Sequence, residues 1–397
     1  MDDARDRPMS RRSAMKIGVL GALGVSLPGG ARTSMDHRSP MDHRAGASGL
    51  TSRPGPAVAT PPAGGGMGVL MDVPGFLVGH ATLESAITGC TVVLCPPETV
   101  AGVAVLGGWP ATREMEILSP LSASPYIDAV LFTGRSVFGL AAADGVVRWL
   151  AEHRTDVPQV PGAVINDLAV GSPAQRPGPE EGYRASVEAV SSLVRGSVGA
   201  GTGATVGKLR GRGTWMKGGI GSAARPFGQG GIVAAMAVVN AVGDVFDRDG
   251  RVLAGAHDAD GHHIEFAPWV EARPLFPDEA AASSNTTLVV VATNARLTKT
   301  QCSVVAKMAQ AGVARAIRPV FTPWDGDTVI VAASGSVPAG DFAVGILAAE
   351  VVADSIRDAV MRATSKGGAG HRDAGRPLPR RPGVVGSGRD PLQRFSE

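Results

Sequence analysis

Leu288-Val-Val-Val-Ala292 is apolar at every position. Successive side chains of a strand point to opposite faces, so a strand written this way needs cover on both. It belongs inside a layered fold. Just before it the chain reads Ser283-Ser-Asn-Thr-Thr287, a polar run that meets the strand at two threonines. Strands often begin after such turns, and the segment can be read as that alone.

A second reading is chemical. A threonine hydroxyl in mid-chain is a poor nucleophile. Cutting the chain at the Asn285–Thr286 bond would give Thr286 a free α-amine, whose pKa is roughly 7.7–8.0. That amine can take the hydroxyl's proton near neutral pH, the N-terminal-threonine form of an activated nucleophile. The residues themselves leave open whether Thr286 or Thr287 starts such a strand.

Elsewhere apolar strand and helix patterns alternate. Strands are expected at Val69–Val78, Thr91–Leu94, Val103–Leu106, Ile127–Phe132, Gly162–Leu168, Ile232–Ala241, Leu288–Ala292 and Thr328–Ala333. Helices are expected at Val137–His153, Glu180–Arg195, Ser303–Ile317 and Asp341–Ala363. The glycine-rich segment 199–222 reads as a loop, and Arg248–Ser284 as a long exposed connection. The class is α/β. The pattern does not separate one doubly wound sheet from two stacked sheets between helices.

Several short motifs fall in one order along residues 68–360. They include Val78-Gly-His80, Thr88-Gly-Cys-Thr-Val-Val93, Gly107-Gly-Trp-Pro-Ala-Thr-Arg-Glu114 and Phe132-Thr-Gly-Arg-Ser136. Gly199-Ala-Gly-Thr-Gly-Ala-Thr-Val-Gly-Lys208, Lys217-Gly-Gly-Ile-Gly-Ser222, Val239-Asn-Ala-Val-Gly-Asp244 and Trp324-Asp-Gly-Asp327 follow. Together they resemble the family of L-aminopeptidase/D-amidase-D-esterase (DmpA), β-aminopeptidases and nylon-oligomer hydrolases. The resemblance implies a four-layer α/β/β/α sandwich that processes itself into two associated subunits. It favours scission between Asn285 and Thr286, and Thr286 as nucleophile. The threonine with Asp-Gly-Asp is closer to the nylon-oligomer hydrolases than to the serine-type aminopeptidases.

Amide hydrolysis needs a nucleophile, a proton acceptor, oxyanion donors and groups that orient them. Thr286 and its new amine would supply the first two. Asp325 and Asp327 flank a glycine and can point to one side of an extended segment. There they would hydrogen-bond the hydroxyl and ammonium of Thr286, although Asp-Gly also reads as an ordinary turn. Lys208 would add positive potential, and Asn240, ending an apolar strand, could donate to an oxyanion. A phosphate loop is rejected at Lys208. Thr202 stands where its first glycine belongs, and Leu209 where its magnesium-binding hydroxyl belongs.

The sequence departs from its relatives at two places. Arg135 replaces a glycine in Thr-Gly-Gly-Ser, where it could close the pocket or read a substrate carboxylate. Asn166 stands where many relatives carry tyrosine. His80 reads as structural, and His262 and His263 only weakly suggest metal. Cys90, Cys95 and Cys302 lack metal spacing and read as buried free thiols. No cofactor or metal is expected.

The charge balance is near neutral, +2 with His neutral, and no basic stripe suggests nucleic acid. Ser10-Arg-Arg-Ser-Ala-Met-Lys16 precedes an apolar run, Ile17–Leu27, like a twin-arginine export signal. That run is too short to span a bilayer. The expected divisions are a signal over 1–30, a disordered linker over 31–66, one hydrolase domain over 67–363 and a disordered basic tail over 364–397. Scission would divide the domain into 67–285 and 286–363. Export would lead to the periplasm or outside the cell; without use of the signal the protein stays cytoplasmic.

The expected function is an autoprocessing N-terminal-threonine hydrolase. It would cleave small peptides or linear oligoamides through an acyl-enzyme, as a homo-oligomer of processed protomers. Two alternatives stand beside it. One is an acyl transferase of the ornithine-acetyltransferase type, and the other a non-catalytic relative.

Overall fold

The computed structural model describes residues 68–154, 157–208, 211–267 and 285–366. The signal, the linker, the tail beyond 366 and residues 268–284 of the long connection lie outside them. The first half of the chain forms β1 (Leu77–Leu83), β2 (Thr88–Val105), β3 (Thr112–Arg113), β4 (Ile127–Thr133), α1 (Ala142–His153), β5 (Gly162–Val164) and α2 (Pro179–Val187). Then come β6 (Thr205–Val206), β7 (Met216–Lys217), β8 (Gly219–Phe227), β9 (Gly231–Asn240), β10 (Asp244–Phe246) and β11 (Val252–Ala254). The last part holds β12 (Thr286–Arg296), α3 (Lys299–Ala316), β13 (Ile317–Arg318), β14 (Thr328–Pro338) and α4 (Asp341–Arg362). No described helix is long and apolar enough to cross a membrane.

One strand serves two layers. The first half of β2 pairs antiparallel with β1 and β4. Its register shifts between Leu94 and Thr99, and its second half pairs with β14. Pro96 and Pro97 lie in that shift and cannot donate to a ladder, and Glu98 follows at φ +61°. The strand order is β3-β5-β4-β2-β14-β12-β9-β8, with β1 beside β2. The expected separate strands Thr91–Leu94 and Val103–Leu106 are thus two halves of one.

Three cores make the four layers. Val93, Val130 and Phe132 of the first sheet pack with Met236, Val238, Leu288, Val290 and Ile330 of the second. Val289 and Val291, on the opposite face of β12, pack with Val305, Ala309 and Val313 of α3 and Val352 and Ile356 of α4. Val92, Leu94 and Leu131 meet Val146 and Leu150 of α1 and Ala185 of α2. The uninterrupted apolar run of β12 follows from this, since it is buried by a sheet on one side and helices on the other. The fold is an α/β/β/α sandwich.

Small residues allow the layers to close. A Cβ on Gly221 of β8 would fall 2.1 Å from the Ser355 carbonyl of α4. One on Gly312 would fall 2.2 Å from Ala349 O, where α3 crosses α4. This explains why β8 escapes the hydrophobic pattern: Gly219-Ile-Gly-Ser-Ala-Ala224 is a strand, not part of a loop, with small residues where a helix lies against it.

Other boundaries move for local reasons. The expected strand at Val69 is a 3-10 turn, Leu70–Asp72, and pairing begins only at Leu77, after Gly75 at φ +89°. Helix α1 begins at Ala142, after a 3-10 turn over Ser136–Ala141. Helix α2 stops at Val187 because Val190 leaves to exchange backbone hydrogen bonds with Val78, both 3.1 Å. Helix α3 begins at Lys299, ahead of the expected Ser303. There Thr298 and Gln301 form a reciprocal capping box.

Candidate active site

Thr286 is the first residue of β12, and strand pairing fixes its surroundings. On one side it is the register partner of Asn240, the last residue of β9. On the other, Asn285 forms a parallel bridge with Asp325, just ahead of β14. The Asn285 N–H donates to Trp324 O at 2.9 Å, and the Gly326 N–H donates to Asn285 O at 2.8 Å. Thr286 is 4% exposed and Asn285 fully buried. The Thr286 hydroxyl donates to the carbonyl oxygen of Asn285.

Lys208 reaches the same strand end from the glycine-rich segment. Its Nζ donates to Asn240 O at 3.0 Å and to Asn240 Oδ1 at 2.7 Å. The Thr205 N–H also donates to Oδ1, at 3.0 Å. Two donors on one side require the amide oxygen there, so Nδ2 faces away and donates to Asn166 O at 3.1 Å. Asn240 was expected to donate to an oxyanion; here it holds Lys208 and the Asn166 backbone. Burial pulls the Lys208 ammonium down to about 7, against the nearby charges of Asp325 and Asp167. Lysine at that value exchanges its proton near neutrality.

The two carboxylates lie beside the threonine, but they hold backbone rather than its side chain. Asp327 Oδ1 accepts from the Thr287 N–H at 2.6 Å, and Oδ2 from the Phe321 N–H at 3.1 Å. Asp325 Oδ2 accepts from the N–H and hydroxyl of Thr322, at 3.0 and 2.5 Å. The expected bonds to the Thr286 hydroxyl are absent in the continuous chain. That hydroxyl is turned to the Asn285 carbonyl, and Thr286, joined to Asn285, carries no free ammonium. Burial, then the charge of Asp325, pushes the Asp327 carboxyl up to about 7. Burial also raises Asp325, opposed by the Thr322 hydrogen bonds and by Lys208.

Arg135 does not read a substrate. Its side chain is fully buried, and its guanidinium donates to the carbonyls of Asp167 (2.9 Å), Val170 (3.0 Å) and Ala86. Asp167 returns the contact by accepting from the Arg135 N–H at 2.7 Å. The pair pins the 166–170 segment, whose Asn166 carbonyl anchors Asn240. The expected pocket role of Arg135 is therefore replaced by a structural one.

Lys217 carries no role that its sequence motif announces. Its Nζ is buried and donates to the carbonyls of Gly201, Ala204 and Gly218 at 2.8–2.9 Å. An ammonium gathering three carbonyls fixes the turn that presents Thr205 and Lys208. The clue was its place between two glycine-rich runs, which need an internal clamp.

The remaining candidates lie elsewhere. His80 bonds Thr91 Oγ1 at 2.9 Å and Val194 O at 3.1 Å, and burial lowers it to about 4, as a structural histidine. Cys90, Cys95 and Cys302 are buried free thiols, with Cys90 and Cys302 pushed up to about 12 by burial. His263 bonds Asp244 at 2.8 Å. Asp258, Asp260 and His262 offer ligand atoms within 4.8 Å of one another, an arrangement common among exposed acidic groups without an ion.

Comparison with known proteins gives this geometry a context. The sequence profile of peptidase family S58 matches residues 69–372. An uncharacterized aminopeptidase of Mycobacterium leprae (strain TN) is 42% identical over 305 residues, covering 69% of this chain and 80% of its own. A 6-aminohexanoate-oligomer endohydrolase of Paenarthrobacter ureafaciens is 28% identical over 350 residues, covering 78% and 96%. Among solved structures, a β-aminopeptidase of Burkholderia sp. matches with TM-score 0.59 and 23% identity, over 79% of this chain and 91% of that one. The L-aminopeptidase D-Ala-esterase/amidase of Ochrobactrum anthropi, described as a variant of the Ntn-hydrolase fold, matches with TM-score 0.58 and 21% identity, over 77% and 90%.

Proposed function

The chain belongs to peptidase family S58 and is a hydrolase of peptide or amide bonds, and on that premise we propose that it cuts itself at Asn285–Thr286 to become an N-terminal-threonine amidase. The observation that carries the reading is the Thr286 hydroxyl resting on the carbonyl of the residue before it, buried among Lys208, Asn240, Asp325 and Asp327.

In the uncut chain Thr286 Oγ1 bonds to the Asn285 carbonyl carbon. Its proton passes to a buried base and then to the Thr286 nitrogen as the C–N bond breaks. Burial brings Lys208 down and Asp327 up to about 7, a value that suits that relay. The product is an ester, which water opens to an Asn285 carboxylate and a Thr286 that carries both hydroxyl and amine.

In the cut enzyme the amine replaces the buried base. The hydroxyl attacks a substrate amide, the leaving amine takes the proton, and water releases the acyl group. The carboxylates of Asp325 and Asp327 orient the new ammonium, and Lys208, held by Asn240, favours charge developing on the substrate carbonyl. The substrates are short peptides with a free amino terminus or linear oligoamides with little side-chain bulk. Relatives named for both kinds of substrate support that choice. The twin-arginine segment supports export of the folded chain, and the working form is a homo-oligomer of processed protomers.

The test is to incubate purified protein with short aminohexanoate oligomers, β-peptides and p-nitroanilides. Amine release by the wild type and none by Thr286→Ala is expected. Equal release by both would remove Thr286 from the chemistry.

A further inference from the structure

The middle residue of Asp325-Gly326-Asp327 has no side chain to do chemistry, yet its main chain reaches the carbonyl of the scissile bond. Its N–H donates to Asn285 O at 2.8 Å. The Thr286 hydroxyl, which would attack that carbonyl, touches the same oxygen. A Cβ on Gly326 would fall 2.9 Å from Thr286 Oγ1 and 3.0 Å from Trp109 O. Its φ lies outside the left-handed region, so closeness, not turn geometry, calls for glycine here.

The amide is also held in place. The carbonyl of its peptide unit, Asp325 O, accepts from the Trp109 N–H at 2.7 Å. The next carbonyl, Gly326 O, accepts from Thr328 Oγ1 at 2.9 Å. Asp325 and Asp327 fasten the backbone on either side through Thr322, Phe321 and Thr287. A donor fixed before charge develops needs no reorganisation when it does. A hydrogen bond into the far side of its peptide unit polarises it further.

We infer that the main-chain N–H of Gly326 is the oxyanion donor of the self-cleavage step. The inference rests on the proposed scission and adds a catalytic group that no side-chain motif reveals. When Thr286 Oγ1 bonds to the Asn285 carbon, the carbonyl π pair moves onto Asn285 O. Gly326 holds that oxygen until the C–N bond to Thr286 breaks and the pair returns to form the ester. The two aspartates around it serve this step by fixing the donor, in addition to orienting the ammonium formed afterwards.

The test replaces one atom. Ribosomal incorporation of glycolic acid at position 326 exchanges the N–H for an ester oxygen and leaves the side chain unchanged. A control chain carries glycolic acid at Gly107, whose N–H points to Asp327 O at 3.4 Å rather than to Asn285. Loss of the full-length chain is followed on denaturing gels. Scission about 10²–10³-fold slower at 326, the usual effect of losing an oxyanion donor, is expected, with the Gly107 control near the normal rate. A 326 ester that cuts within about threefold of the glycine chain, or two esters equally slow, would overturn the assignment. In a further chain the hydroxy analogue of tryptophan at Trp109 removes the N–H that anchors Asp325 O. About a five- to tenfold loss is expected from one hydrogen bond, and no change would count against the inference. If the unaltered glycine chain never cuts, the self-cleavage reading itself fails. A cut control beside a fast 326 ester removes only the role of Gly326.

Discussion

Thr286 and Asn240 face each other across the β12–β9 ladder, each at the end of its strand. The pairing brings residues 46 positions apart to one point. Through Asn240 it ties the threonine to Lys208, to Thr205 of β6 and to the Asn166 backbone.

Asn240→Ala should therefore cost more than one contact. It leaves the Lys208 ammonium and the Thr205 N–H short of an acceptor in a buried site. Each such loss costs about 1–3 kcal/mol. Urea unfolding of the uncut Thr286→Ala chain should show the lost stability, and self-cleavage in the Thr286 background should slow at least tenfold. Unchanged values for both would deny Asn240 its linking role.

Self-cleavage should accelerate as pH rises through about 7. The proposed base is neutral Lys208 or ionised Asp327, and both forms gain population in the same direction. Asn240→Asp sets a carboxylate on the Lys208 ammonium, favours its charged form and should move the rise to higher pH if the lysine is the base. Following full-length chain from pH 5.5 to 9 gives the profile; a flat one excludes both groups.

The same two groups should give the uncut chain a stability minimum near pH 7. Asp327 is raised in the folded state, so between its ordinary value and about 7 the folded chain binds more protons, and stability falls as pH rises. Lys208 is lowered, so from about 7 upward the unfolded chain binds more, and stability rises. In Thr286→Ala chains, Asp327→Asn should flatten the acid-side slope and Lys208→Met the alkaline one. Denaturant midpoints across pH read both.

Much of this was legible in the sequence. The apolar run after Thr287 announced a strand covered on both faces, and the ordered motifs pointed to the sandwich. Lys208, Asn240, Asp325 and Asp327 do gather about the end of β12. What escaped was what depends on partners distant in the chain. β8 is written in Gly, Ser and Ala because α4 lies on it, so no hydrophobic period marks it. The carboxylates looked like side-chain partners for Thr286, yet register sets them on the backbone amides of Thr287, Phe321 and Thr322. Arg135 looked like a pocket cation because the carbonyls that consume it, at 86, 167 and 170, are reached only in the folded chain.

Arg135→Lys should expose that structural role. A lysine cannot reproduce the planar fork that meets three carbonyls. A stability loss on the order of 3 kcal/mol is expected by urea unfolding, as for a broken buried polar network. The ratio of KM values for anionic and neutral substrates should stay the same. A selective rise in KM for anionic substrates would return Arg135 to the pocket.

The most direct measurement is the intact mass of purified protein together with N-terminal sequencing of its smaller fragment. A fragment that begins at Thr286 in the wild type, and a single uncut chain for Thr286→Ala, is the expected result. A folded wild-type protein with no break at Asn285–Thr286 would contradict the account.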